Sequence, residues 1–106
     1  MKPIESVRMR ALFYEKRIRS FDRLMREIRH LDSDSGIRVV GSYLDTDCFA
    51  FLTRSAGTYT VMVYRRRGRR TPVVGARVLS RDFASVDELG RFLRQVVVEG
   101  VDAYVY

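Results

Sequence analysis

Between residues 37 and 80 the chain divides into four short stretches of strand-forming residues, and the connections between the first three leave room only for antiparallel neighbours. The stretches are 37–44, 48–54, 58–66 and 72–80. Asp45-Thr46-Asp47 and Ser55-Ala56-Gly57 separate the first three, and both have the composition of three-residue hairpin loops. The Gly68 loop joins the third to the fourth. Loops of this length set Tyr43 opposite Phe49, Phe51 opposite Val61 and Phe49 opposite Val63. One sheet face then carries Ile37, Val39, Tyr43, Phe49, Phe51, Tyr59, Val61 and Val63. These bulky apolar residues must leave water, so this face is the expected core. The other face carries Arg38, Val40, Ser42, Cys48, Ala50, Leu52, Arg54, Thr60, Met62, Tyr64 and Arg66 and is smaller, wetter and basic. A slip of one residue at either loop reassigns these faces, because side chains alternate with a period of two.

Helical patterns flank the strand block. Ile4, Val7, Ala11, Tyr14, Ile18, Phe21, Met25 and Ile28 recur at spacings of three and four, the a and d positions of four heptads. The expectation is one helix over residues 4–31. It would run ~40 Å at 1.5 Å per residue, whereas a seven-residue strand spans ~24 Å. Such a helix overhangs its own sheet, and a second copy of the chain is the simplest thing for it to meet. Tyr14, Ile18, Phe21 and Met25 are the candidate oligomerisation residues. The alternative is a break near Ser20, which would cap a shorter helix over 21–31. Asp32-Ser33-Asp34-Ser35-Gly36 ends either version. Downstream, Ser85-Val86-Asp87-Glu88 reads as a capping box opening an amphipathic helix that closes at Gly100. Val101 to Tyr106 alternates as a last strand. The fold class is α+β: an antiparallel four- to five-stranded sheet with a long N-terminal helix and a C-terminal helix packed on one face, in the order α-β-β-β-β-α-β.

Charge is distributed unevenly along this single domain of 106 residues. The net value is +5 over residues 1–31, −2 over 32–64, +7 over 65–81 and −3 over 82–106. Residues 65–81 hold seven Arg and no acid, five of them within Arg65-Arg66-Arg67-Gly68-Arg69-Arg70. Guanidinium groups packed this densely repel one another unless an anion is a natural partner. Arg grips phosphate with a two-pronged fork and stacks on bases. Apolar content of 46% is ample for a core. No apolar run approaches the ~20 residues of a membrane helix, and Glu5, Arg8 and Arg10 interrupt any secretory signal. A lone Cys48 excludes an intrachain disulfide and a cysteine metal cluster. A cytoplasmic location follows as the expectation. Eighteen Arg against two Lys, no Asn and one Gln fit a heat-adapted chain.

These features point to a non-catalytic, sequence-nonspecific binder of single-stranded DNA or RNA, without cofactor or metal. Arg38, Arg54, Arg65, Arg66, Arg67, Arg69, Arg70 and Arg77 are the expected phosphate contacts, and Tyr64, with Tyr59 or Phe49, the base-stacking residues. The rival reading is an oligomeric interaction module whose Arg cluster binds an acidic partner. Duplex binding ranks lower, since no helix combines strong charge with a major-groove recognition motif. The pairs Asp32/Asp34 and Asp45/Asp47 lie at opposite ends of one strand, too far apart to share a cation, and read as turn chemistry. His30, the only His, reads as a contact at a helix C-terminus. Cys48 reads as a small packing residue.

The Phe49-Ala50-Phe51 strand, the Tyr64-Arg65-Arg66-Arg67 strand end and the Ser85-to-Gly100 helix together resemble the archaeal ThermoDBP-related single-stranded nucleic-acid-binding proteins. The resemblance is one of architecture and chemistry and extends over nearly the whole chain. It implies single-strand binding in a cleft with an apolar floor and basic rims, in a family of which some members assemble as oligomers. It also opens a second place for Phe49 and Phe51, lining the cleft instead of filling the core.

Overall fold

The computed structural model describes residues 16–67 and 73–106. Their elements are β1 (Lys16–Ile18), α1 (Phe21–Arg29), β2 (Gly36–Tyr43), β3 (Thr46–Ser55), β4 (Thr58–Arg67), β5 (Val73–Phe83), α2 (Val86–Val96) and β6 (Asp102–Val105). The strands form one antiparallel sheet in the order β1-β6-β2-β3-β4-β5. Both helices pack on one side of it. Leu24 and Ile28 of α1 and Leu89 and Leu93 of α2 are fully buried against Ile37, Val39, Leu52, Val61 and Val63 of the sheet. Each such side chain contributes about 1.5–3 kcal/mol of apolar burial. The α+β class and the one-sided helix layer are thus as expected from the sequence, but among the described residues the sheet has six strands instead of four to five, the added one being β1 ahead of α1.

The two central hairpins carry the first correction. β2 and β3 are joined by Leu44-Asp45 alone, with Tyr43 opposite Thr46. β3 and β4 are joined by Ala56-Gly57 alone, with Ser55 opposite Thr58. Both loop residues have positive φ in each case (52° and 61°, then 51° and 83°), the mirror-image turn whose twist matches that of the flanking strands. Two-residue loops replace the expected three-residue ones, and each register moves by an odd number of residues. β3 alone therefore flips. Cys48, Ala50 and Leu52 point to the helices and are fully buried, whereas Phe49 and Phe51 take the opposite face. The reason is space. An ideal Cβ on Gly41 would lie 2.5 Å from the Val96 carbonyl oxygen, so the end of α2 comes down onto the sheet where Gly41 pairs with Cys48. Small side chains fit beneath it and phenylalanines do not.

The second correction concerns the N-terminal half. Over the part of the expected 4–31 helix that is described, residues 16–31, the chain is not one helix; residues 4–15 lie outside the described residues. Residues 16–18 are β1, and a new helix begins after Ser20, whose Oγ accepts a hydrogen bond from the Arg23 amide at 3.2 Å. The break at Ser20, the alternative reading, is the one that forms. Ile18 faces Ala103 of β6 and is fully buried, so it belongs to the core rather than to an oligomer seam. Spacings of three and four permit a helix, but β1 bonds the outer side of β6, which would otherwise be a bare edge. Tyr14 lies outside the described residues. At the other end, Ser85 caps α2 by accepting from the amides of Asp87 and Glu88 at 3.1 and 3.2 Å, the serine half of the expected capping box. Among the described residues no helix is long and apolar enough to cross a membrane.

Candidate nucleic-acid interface

The sheet face away from the helices is built by strand parity. In one row across the strands stand Arg17, Tyr104, Arg38, Phe51 and Met62, each opposite the next on β1, β6, β2, β3 and β4. In the row beside it stand Asp102, Val40, Phe49, Tyr64 and Arg77. Arg66 follows two residues after Tyr64 on the same face. Irregularities between Val63 and Arg66 disturb the β4–β5 ladder, so that Tyr64 meets Arg77 where an even register would present Val78. A bulge that re-aims a side chain in this way commonly marks a working surface.

The aromatic rings of this face touch. Phe51 and Tyr64 make an edge-to-face pair at 5.7 Å between centroids, and Phe49 and Phe51 a tilted one at 6.3 Å. The Tyr64 hydroxyl lies 3.7 Å from the Met62 sulfur. Guanidinium groups are interleaved with the rings: Arg38 sits 4.7 Å over Tyr104, Arg17 5.7 Å from the same ring, and Arg66 5.6 Å over Phe49. Arg17 also donates from Nε to Asp102 at 3.1 Å, which fixes its position beside Tyr104. Phe51, Tyr64 and Tyr104 are half-buried, but Phe49 is only 3% exposed. Phe49 is thus a support for Phe51 and Arg66 and offers no ring face for stacking.

The residues singled out from the sequence divide between the two sides. Arg38, Tyr64, Arg66 and Arg77 share the aromatic face. Arg54 and Tyr59 do not: both look toward the helices. Arg54 donates from Nη1 to the Leu31 carbonyl at 3.2 Å and lies 5.1 Å over the Tyr59 ring, which is buried. Their work is to tie the segment after α1 to the sheet. Arg65 pairs with Cys48 on the helix side and is exposed at the strand end, while Arg67 ends β4. Arg69 and Arg70 lie outside the described residues. Phe21 and Met25 are half-buried along α1.

Met62 stands on this face as its alternation in the sequence puts it, and Arg17, Phe51 and Tyr104 complete it although strand alternation and periodicity alone do not place them there. Arg17 was hidden by its assignment to a helix, and Phe51 by the register. Tyr104 was signalled only by the alternation of Val101 to Tyr106.

Among the described residues no cluster of three potential metal ligands occurs. Asp32 Oδ1 accepts from the Asp34 amide at 2.9 Å and from Ser35 Oγ at 3.1 Å, a turn-closing role. His30 caps α1, with Nδ1 donating to the Arg26 carbonyl at 2.8 Å. No family model, curated protein or solved structure matches the chain.

Proposed function

We propose that the helix-free face of the sheet binds single-stranded nucleic acid without sequence specificity. The observation that carries this reading is the interleaving of Phe51, Tyr64 and Tyr104 with Arg17, Arg38, Arg66 and Arg77 on one surface. Unpaired bases present ring faces at the same intervals at which the backbone presents phosphates, so a surface alternating rings and guanidinium groups serves both at once. A duplex hides its base faces and can use only the charge. The flip of β3 strengthens the reading, since it brings Phe51 to the arginines. Rings over basic groups also keep the chemistry implied by the ThermoDBP-related likeness.

The test is fluorescence anisotropy with labelled single-stranded DNA, single-stranded RNA and duplex of one length. Single strands should bind more tightly than duplex. Tyr64→Phe should keep that affinity, because stacking is a property of the ring, and Tyr64→Ser should lose about 1–3 kcal/mol, as expected for one stacked base. Equal binding to all three probes would reduce the surface to a polyanion patch, and a silent Tyr64→Ser would remove the stacking mechanism.

A further inference from the structure

The opposite side of the molecule carries a second surface of different chemistry. α1 and α2 run antiparallel there. Phe21 at the start of α1 lies under Arg94 near the end of α2, with the guanidinium 4.0 Å from the ring centroid. Midway, a Cβ added to Gly90 would come within 3.0 Å of Met25 Cε, so the glycine lets the two helices close together. Along their outer side they leave a groove of about 620 Å³. The apolar part of its lining, smaller than the polar part, is Met25, Val86 and the covered ring of Phe21, all half-buried. Its rims are cationic, with Arg26 and Arg29 from α1 and Arg91 and Arg94 from α2, all exposed. Asp22 and Asp87, one in the first turn of each helix, are the acids lining it. Neither ion pair of the described residues, Lys16–Glu27 or Arg17–Asp102, involves a groove arginine.

We propose that this groove docks an acidic amphipathic helix of another protein. Apolar side chains at i, i+3 or i+4, and i+7 would lie on Met25 and Val86, and carboxylates beside them would meet the arginine rims. The groove spans residues 21–29 and 86–94, about 12 Å or two helical turns, which matches that set of anchors. A methionine-lined floor adapts to aliphatic side chains of several shapes. Two other occupants fit less well. A second copy would bring arginine rims against arginine rims. A nucleic acid would find no free ring to stack on, because Arg94 already covers Phe21. The surface is separate from the proposed nucleic-acid face and does not depend on it.

Methionine methyl groups report on the two faces independently, Met25 in the groove and Met62 on the sheet. Protein labelled with 13C at the methionine methyls, with Met25→Leu and Met62→Leu to assign the signals, is titrated with three probes. One is a Leu/Glu peptide whose leucines share one helical face. The second is the same composition scrambled, and the third a single-stranded oligonucleotide. The patterned peptide should move the Met25 signal and leave Met62 in place, and the scrambled one should bind more weakly. Arg26→Glu with Arg91→Glu should weaken the patterned peptide about tenfold or more, by reversing two rim contacts. No Met25 shift at ~1 mM peptide, the level of only −4 kcal/mol, would overturn the proposal. So would a Met25 shift with oligonucleotide equal to that with peptide, or one produced by raising protein concentration alone, which would assign the groove to a second copy. Failure of the nucleic-acid face instead appears as a silent Met62.

Discussion

Cys48 is fully buried, and burial pushes its thiol up from 9.0 to about 11, with the neighbouring Asp47 carboxylate adding to the effect. The folded chain therefore keeps the thiol proton over a range where the unfolded chain releases it. The unfolded state binds fewer protons there, so stability must fall as pH rises from 9 toward 11. Below that range the contribution is present in full. Urea midpoints measured from pH 8 to 10.5 should decline more steeply for the parent chain than for Cys48→Ala, and parallel declines would show that the thiol is not held neutral. At this scale the sequence was a partial guide. It marked Cys48 as a small packing residue, which it is, but set it on the basic face. Its neighbours Phe49 and Phe51 have the bulk of core residues, yet they stand on the face away from the helices. What decided the matter was the room beneath α2, which no single residue announces.

The elements differ in how plainly they are written in the chain. The four central strands and α2 stand close to where alternation and the Ser85 cap put them, because both signals are local. Register is not local. It depends on whether Asp45-Thr46-Asp47 supplies three loop residues or whether Leu44 enters the turn instead, and an exposed leucine at φ 52° is an uncommon choice. The heptad over residues 4–28 misled for the opposite reason. Its spacing was satisfied over α1, yet the stretch around Ile18 was claimed by the open side of β6. Packing of α2 on β2 yields a test of the spatial argument. Gly41→Ala drives a Cβ to 2.5 Å from the Val96 carbonyl oxygen and must push the helix end off the sheet, at a cost of about 3 kcal/mol. Gly57→Ala meets nothing within 4 Å and bears only the strain of its positive φ, about 1 kcal/mol. Urea unfolding of the two variants should separate them clearly. Equal losses would mean that α2 does not press on β2 at Gly41.

Across the whole molecule the arginines serve two surfaces on opposite sides of one sheet. Charge counted along the chain singled out residues 65–81, but the fold disperses that run: Arg66 joins the aromatic face, whereas Arg65 turns to the helix side. Arginines far apart in sequence are gathered instead, Arg17 and Arg38 about Tyr104, and Arg77 beside Tyr64. Asp47, Asp82 and Asp102 stand at the margins of this face, and Asp102 is already engaged by Arg17. If all four arginines displace counterions from a single strand, log K should fall with log salt at a slope near −2.8, about −0.7 for each phosphate. Arg77→Gln should bring the slope to about −2.1. Phe51→Ala should lower affinity at every salt concentration and leave the slope where it was, because stacking releases no ions. Arg91→Gln, on the helix side, should change neither quantity if the two surfaces are independent. A slope that falls equally for Arg77→Gln and Arg91→Gln would mean that the strand feels only the total charge of the protein. The division of labour between ring and guanidinium would then have no part in binding.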